Sequence, residues 1–184
     1  MSARSPAGRP RIATVWLAGC SGCHMSLLDI DERILEVAKV ADIVRSPIVD
    51  GKGYPEVDIA VIEGAVGSDE HLEDLKKIRA SAKILVSLGD CAVTGNVSSL
   101  RNAFALESVL DCAYREAESN APGPMPGSPE IQRLLAKVTP LHEHVKIDFT
   151  IPGCPPSADL IFYVLNELLS DRAPVLEKGR LRYG

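Results

Sequence analysis

Two rhythms of apolar and polar residues alternate along this chain. Ile12–Leu17, Asp42–Ile48, Val57–Ile62, Lys83–Leu88 and Val145–Ile151 are short apolar, β-branched runs bounded by turn residues, and they read as buried strands. Between them the period lengthens. Ser26–Val40 sets Leu27, Leu28, Ile30, Ile34, Leu35, Val37 and Ala38 opposite Asp29, Glu32, Arg33, Glu36 and Lys39, a helical stripe. Ser68 is suited to N-cap a helix through Ala82, with Asp69, Glu70 and Glu73 near its positive end and Lys76, Lys77 and Arg79 near its negative end. Helical pattern resumes over Ser98–Glu118, Ser128-Pro129 is suited to cap another short helix, and Ser157 caps a last one to about Ser170. The turn signal Asp50–Gly53 and the Pro/Gly-rich break Asn120–Ser128 punctuate the pattern.

Strands alternating with helices predict an α/β fold: a flavodoxin-like doubly wound parallel sheet with helices on both faces. The expected organisation is a flexible N-terminal tail over 1–11, a single flavodoxin-like domain over 12–170, and a C-terminal tail over 171–184 that could pack on a partner. A chain of 184 residues can bury a sizeable core without disulfides. Its net charge of -5 and aromatic content of 4% argue against nucleic acid, and Arg4, Arg9 and Arg11 read as a solvated tail. The longest apolar stretch, Leu160–Leu169, is interrupted by Asn166 and Glu167 and is too short to span a bilayer, so no membrane insertion is expected. Met1–Arg11 has neither an apolar export core nor paired arginines, which points to a cytoplasmic protein. In that compartment thiols stay reduced, and clustered cysteines bind metal or do chemistry.

Four of the five cysteines stand in Gly- or Pro-marked loops just after apolar runs: Cys20 and Cys23 in V-W-L-A-G-C-S-G-C, Cys91 in V-S-L-G-D-C-A, and Cys154 in F-T-I-P-G-C-P-P. A parallel sheet brings such loops to one edge, the edge where these folds bind ligands. Four thiolates there suit a [4Fe-4S] cluster, with two corners served by the C-x-x-C loop and one each by Cys91 and Cys154. Gly19 and Gly22 let the first loop curl around a bulky group. A structural zinc site stays open as the competitor, although zinc usually draws its ligands as two close pairs. Cys112, in a helical stretch with Val109, reads as a small core residue.

These segments resemble the small, electron-transferring subunits of [NiFe] hydrogenases. The likeness lies in W-L-x-G-C-x-G-C at Trp16–Cys23 with Ser26–Leu28, V-I-E-G at Val61–Gly64, G-D-C-A at Gly89–Ala92, and I-P-G-C-P-P at Ile151–Pro156. Carried over residue by residue, Cys20, Cys23, Cys91 and Cys154 match the ligands of that family's proximal [4Fe-4S] cluster. The resemblance implies a large-subunit partner holding a Ni–Fe centre. The chain carries no cysteines for further clusters and no twin-arginine leader, so it most resembles the delta subunit of soluble NAD-reducing hydrogenases. There the implied partners include diaphorase subunits with FMN and more iron–sulfur centres, and the implied overall reaction is H2 + NAD+ = NADH + H+. This chain would conduct electrons and make no bonds. The resemblance also leaves room for an FMN on this chain, although the loop that would cradle it carries Cys20 and Cys23. The nearest relatives of different function are cluster subunits of NADH:quinone oxidoreductases, whose first motif has adjacent cysteines where this one has Cys-Ser-Gly-Cys. Outside the resemblance stand a zinc-stabilised binding module and a freestanding flavodoxin-like carrier.

Other residues carry two readings each. Glu63 matches the V-x-E-G segment and could relay protons or meet a partner; a hydrogen-bonded structural carboxylate is the equal alternative. His24 reads as a loop histidine, with a hydrogen bond near the cluster as the sharper reading. Asp90 is placed to accept a backbone N–H in its loop. Trp16 either shields a cluster or packs in the core. His142 and His144 have no third ligand in view and read as surface.

Overall fold

The computed structural model describes residues 8–49, 53–119 and 123–181. Most of the expected N-terminal tail, three residues of the Asp50–Gly53 turn, the start of the Asn120–Ser128 break and the last three residues lie outside the described residues. Among the described residues the strands are β1 (Arg11–Trp16), β2 (Asp42–Arg45), β3 (Val57–Glu63), β4 (Val66–Ser68), β5 (Ala82–Leu88), β6 (Leu134–Thr139) and β7 (Phe149–Ile151). The α-helices are α1 (Gly22–Leu28), α2 (Ile34–Val40), α3 (Asp69–Ser81), α4 (Gly89–Thr94), α5 (Leu106–Leu110) and α6 (Ala158–Leu169).

The main sheet runs β2-β1-β3-β5-β7, and every pairing in it is parallel. Without the separate β4–β6 pair, that order is the 2-1-3-4-5 of flavodoxin-like folds. Strand β3 is central and apolar on both faces, as a doubly covered parallel strand must be. Its alternate residues part company. Ala60 and Ile62 join Leu85 of β5 and Leu75 and Ile78 of α3 on one face. Ile59 and Val61 join Val86, Leu88 and the α6 residues Leu160, Ile161, Val164 and Leu168 on the other. Leu176 and Leu181, beyond α6, pack against that second layer. Leu85 has 0% exposure in the α3-side layer. Leu85→Ala is therefore expected to lower stability by about 2–5 kcal/mol, read as a drop in the urea midpoint.

Several expected elements differ for local reasons. The Ser26–Val40 helix is two: α1 starts earlier, inside the C-x-x-C loop, and a 3-10 turn at Asp31–Arg33 separates it from α2. Asp31 sits at φ 53, a left-handed conformation that Asp tolerates and that ends a helix. The second strand stops at Arg45, where Ser46 and Pro47 follow and Pro47 has no N–H to give a ladder. The Ser98–Glu118 stretch is a 3-10 helix (Asn96–Ala103), α5 and a π-turn (Asp111–Arg115), with Phe104 extended at φ -120 between the first two. Cys112 lies in the π-turn and is exposed, which corrects its reading as a core residue. No helix follows Ser128-Pro129; the chain there leads into β6, antiparallel to β4. The fifth main-sheet strand is only Phe149–Ile151, and the chain before it is drawn back to the turn that buries Leu141, whose carbonyl accepts the Val145 N–H at 3.2 Å.

Candidate metal centre

The C-terminal ends of β1, β3, β5 and β7 are neighbours in the sheet, and the segments that leave β1, β5 and β7 carry Cys20 and Cys23, Cys91, and Cys154 in turn. The first loop is shaped by its approach to β3. Leu17 donates to the Glu63 carbonyl at 2.8 Å, and Ala18 and Ala65 exchange backbone bonds at 3.0 and 2.8 Å. Gly64, at φ 89, lies so near this crossing that a Cβ there would stand 2.8 Å from the Leu17 carbonyl carbon. Ser21, at φ 65, then turns the chain into α1, leaving Cys20 exposed and Cys23 buried at 7%.

Glu63 holds this turn from below. It ends β3 with 1% exposure, and its Oε1 accepts the Cys23 N–H at 3.2 Å while Oε2 accepts the His24 N–H at 2.8 Å. The His24 ring approaches the same Oε2 through Nδ1 at 2.5 Å. His24 is 1% exposed, so it is a buried partner of the carboxylate and not a simple loop histidine. Trp16 stands edge-on to it, with ring centroids 5.3 Å apart, and keeps 42% of its surface exposed. Core packing therefore accounts for Trp16 only in part.

The other two loops are tied to each other. Asp90 donates its N–H to the Gly153 carbonyl at 2.9 Å, and its Oδ1 accepts the Gly153 N–H at 2.7 Å. The acceptor role expected of Asp90 is thus met across to the Cys154 loop. Ser26 Oγ donates to the Pro156 carbonyl at 2.5 Å and Ser98 Oγ to the Ala18 carbonyl at 2.9 Å, closing the ring of loops. Gly89 starts α4 at φ 79, and the Cys23 Sγ lies 2.2 Å from where a Gly89 Cβ would be. The buried thiol of the first loop therefore rests on the backbone of the Cys91 loop.

The electrostatics record the same gathering. Burial pushes the Cys23 thiol far above its ordinary range, and Glu63, then Cys91, Cys20 and Cys154, add to the effect. Burial also raises Cys91; hydrogen bonds with Ser98 pull it down, and Cys154 and Cys20 push it up. Thiols held protonated in this way must release protons to a metal that takes them as thiolates. Cys91 is buried at 7%, while Cys20 and Cys154 are exposed, so the group has a covered side and an open side. Trp16 and Met25, which flank the first cysteine loop in the chain, are exposed at 42% and 57%.

Among the described residues, no three His, Cys, Asp or Glu side chains are grouped to hold a single metal ion. His142 is exposed, and His144 pairs through Nε2 with Thr139 Oγ1 at 2.7 Å within its own loop. The His24–Glu63 pair, the Ser98 contact with Cys91 and the Ser26 tie were not read from the sequence. A carboxylate inside the apolar run V-I-E-G was the available signal for the first. Beside the centre lies a cavity of about 600 Å3 whose lining includes Thr14, Trp16, Arg45, Tyr54 and Asp74. Arg45 stacks on Tyr54 at 4.1 Å and donates to the Gly53 carbonyl at 2.6 Å.

Residues 20–168 match the family described as NADH ubiquinone oxidoreductase, 20 Kd subunit. The chain is 42% identical over 180 residues to the NAD-reducing hydrogenase HoxS subunit delta of Cupriavidus necator, covering 96% of this chain and 86% of that one. It is 40% identical over 164 residues to a subunit of the F420-non-reducing hydrogenase of Methanothermobacter marburgensis, covering 86% of this chain and 53% of that longer relative. A chain from the crystal structure of an NAD+-reducing [NiFe]-hydrogenase in the H2-reduced state superposes with a TM-score of 0.93 at 43% identity, over 96% of this chain and 99% of that one. The Ni-Fe-Se hydrogenase of Desulfomicrobium baculatum, at 16% identity, a TM-score of 0.59 and coverage of 94% and 68%, shares the fold.

Proposed function

Because this chain belongs to the NADH ubiquinone oxidoreductase 20 Kd subunit family, among its hydrogenase small subunits, we propose that it is the electron-transferring subunit of a soluble NAD-reducing [NiFe] hydrogenase. In this reading electrons pass between the Ni–Fe site of a large subunit and diaphorase subunits carrying FMN and iron–sulfur centres. The overall reaction is H2 + NAD+ = NADH + H+. The chain itself makes no bonds in it.

The observation that carries the reading is the convergence of Cys20, Cys23, Cys91 and Cys154 from three cross-tied loops on one sheet edge. These residues would hold one proximal [4Fe-4S] cluster, which supplies one-electron transfer when bound. The fit rests on the donor set. There is one thiol for each of four irons, and Cys23 and Cys91 are shielded from water beneath the open pair. Asp90, Glu63, Ser26 and Ser98 hold the loops at fixed separations, which keeps reorganisation small as charge comes and goes. The open side, with Cys20 and Cys154, is the face that the large subunit would cover, together with the exposed Trp16 and Met25.

A cluster subunit of an NADH:quinone oxidoreductase is the less supported reading, since Ser21 and Gly22 separate the first cysteines here and the full-length likenesses are to hydrogenase subunits. The loop after β1, which would cradle an FMN in a flavodoxin-like fold, presents Cys20 and Cys23. The reading therefore assigns no flavin to this chain. The cytoplasm is the proposed compartment; among the described residues no helix is long and apolar enough to cross a membrane.

The test is iron and acid-labile sulfide in the anaerobically purified complex, counted per copy of this chain and resolved from its partners. About four of each are expected, together with H2-dependent NAD+ reduction. Zinc without sulfide would replace this reading with a structural metal module.

A further inference from the structure

The buried pair of Glu63 and His24 sits directly beneath the buried cysteine. Glu63 takes both amide hydrogens that flank the Cys23 carbonyl, those of Cys23 and His24. Such N–H groups, left free, are the donors that ease reduction of an iron–sulfur cluster when they point at its sulfur atoms. Here they point at a carboxylate instead. That carboxylate is 1% exposed, so little water screens its charge from the ligand above it. The His24 ring meets Glu63 Oε2 through Nδ1 at 2.5 Å, and this contact fixes the carboxylate's direction. His24 Nε2 is buried with no hydrogen-bond partner, so the ring is held in place through Nδ1 and by Trp16 packed edge-on against it.

We propose that Glu63, oriented by His24, is a positioning residue that sets the reduction potential of the cluster held by Cys23. The carboxylate withdraws two amide donors and lays a negative charge under the buried ligand, and both effects make the cluster harder to reduce. This inference rests on the electron-transfer reading above and goes beyond it. It turns a carboxylate that seals a loop into the element that matches this centre to its redox partners.

The experiment is a redox titration of the assembled complex, followed by the EPR signal of the reduced proximal cluster, in the parent, Glu63→Gln and Glu63→Asp. Iron and sulfide are counted first. A parent without a cluster would defeat the proposed function itself, whereas a cluster-bearing parent isolates the present inference. Glu63→Gln keeps an acceptor but loses the charge. At a fixed potential its ratio of reduced to oxidised cluster is expected to rise at least about tenfold, ~59 mV for one electron. Glu63→Asp keeps the charge and is expected to stay below the parent's reduced-to-oxidised ratio or within about twofold of it. A purely structural role would make the shorter Asp the more disruptive change, with no upward shift particular to Gln. If Glu63→Gln fails to hold iron, His24→Asn and His24→Leu take its place. Asn can keep a donor near the Nδ1 position and should leave the potential in place, while Leu removes it and should move the potential. A cluster-bearing Glu63→Gln with the parent's potential, or His24 variants that both keep it, would overturn the proposal.

Discussion

Replacing Cys91 by serine is expected to lower the iron content of this chain and to cut H2-driven NAD+ reduction by at least about a hundredfold, ~2.7 kcal/mol in the barrier. The size follows from where the thiol sits. Cys91 is 7% exposed, in the first turn of α4, with Ser98 and the other loop cysteines as its electrostatic neighbours. A serine hydroxyl there is a harder, shorter and less acidic donor than a thiol, and it offers iron a poor ligand at a corner that water cannot easily complete. The fold should survive, because the change is nearly isosteric and the α4 backbone is pinned by Asp90 and Gly153. Hydrogen–deuterium exchange at the partner's Ni–Fe site should also survive, since it needs no electron to pass through this chain. Cys112→Ser is the control: the thiol is exposed on the π-turn, and its loss should leave iron content and activity at the parental level. Iron analysis, the NAD+ assay and the exchange assay on the three complexes decide the matter. Parental NAD+ reduction in Cys91→Ser would remove Cys91 from the electron path.

Much of this was legible in the sequence because apolar runs and glycine punctuation are local signals. Val57–Ile62 reads as a buried strand from its residues alone, and the parallel order followed from strands alternating with helices. The cysteine loops could be placed at one sheet edge for the same reason. What could not be read is what depends on distant partners. Leu134–Thr139 gains its strand form by pairing with Val66–Ser68, more than sixty residues away by the numbering. Cys112 reads as a core residue from its apolar neighbours, but neither α5 nor the π-turn that carries it has a buried residue, and the thiol is exposed. His24 looked like a loop residue because nothing local announces that Glu63, from another strand, lies beneath it. Asp90 was half legible: its position beside a glycine turn suggested a backbone acceptor role, but only the fold supplies Gly153 as the donor.

Gly89→Ala should cost this chain more function than stability. Gly89 holds φ 79, a conformation in which an alanine is strained by about 1–2 kcal/mol. That alone would lower the unfolding midpoint by a few degrees, a change a marginally stable chain can bear. The added methyl, however, would land 2.2 Å from the Cys23 Sγ. Cys23 cannot step back, because its N–H is held by Glu63 and its helix is tied to Pro156 through Ser26. The sulfur must therefore rotate away from the Cys91 loop, and the ligand set loses its buried corner. Iron per chain is expected to fall by more than about half, with H2-driven NAD+ reduction falling at least as far as in Cys91→Ser. Gly64→Ala gives the contrast. Its Cβ would meet the backbone of Leu17 and Ala18 at 2.8–3.0 Å, nearer than any thiol, so its damage should appear first as lost stability of the β1–β3 crossing. Iron content plotted against unfolding midpoint for the two variants separates the effects. Gly89→Ala should lie far below Gly64→Ala in iron at a higher midpoint. Full iron in Gly89→Ala would mean that the Cys23 sulfur reaches its metal from a different rotamer, and that its rest against Gly89 is no part of the bound geometry.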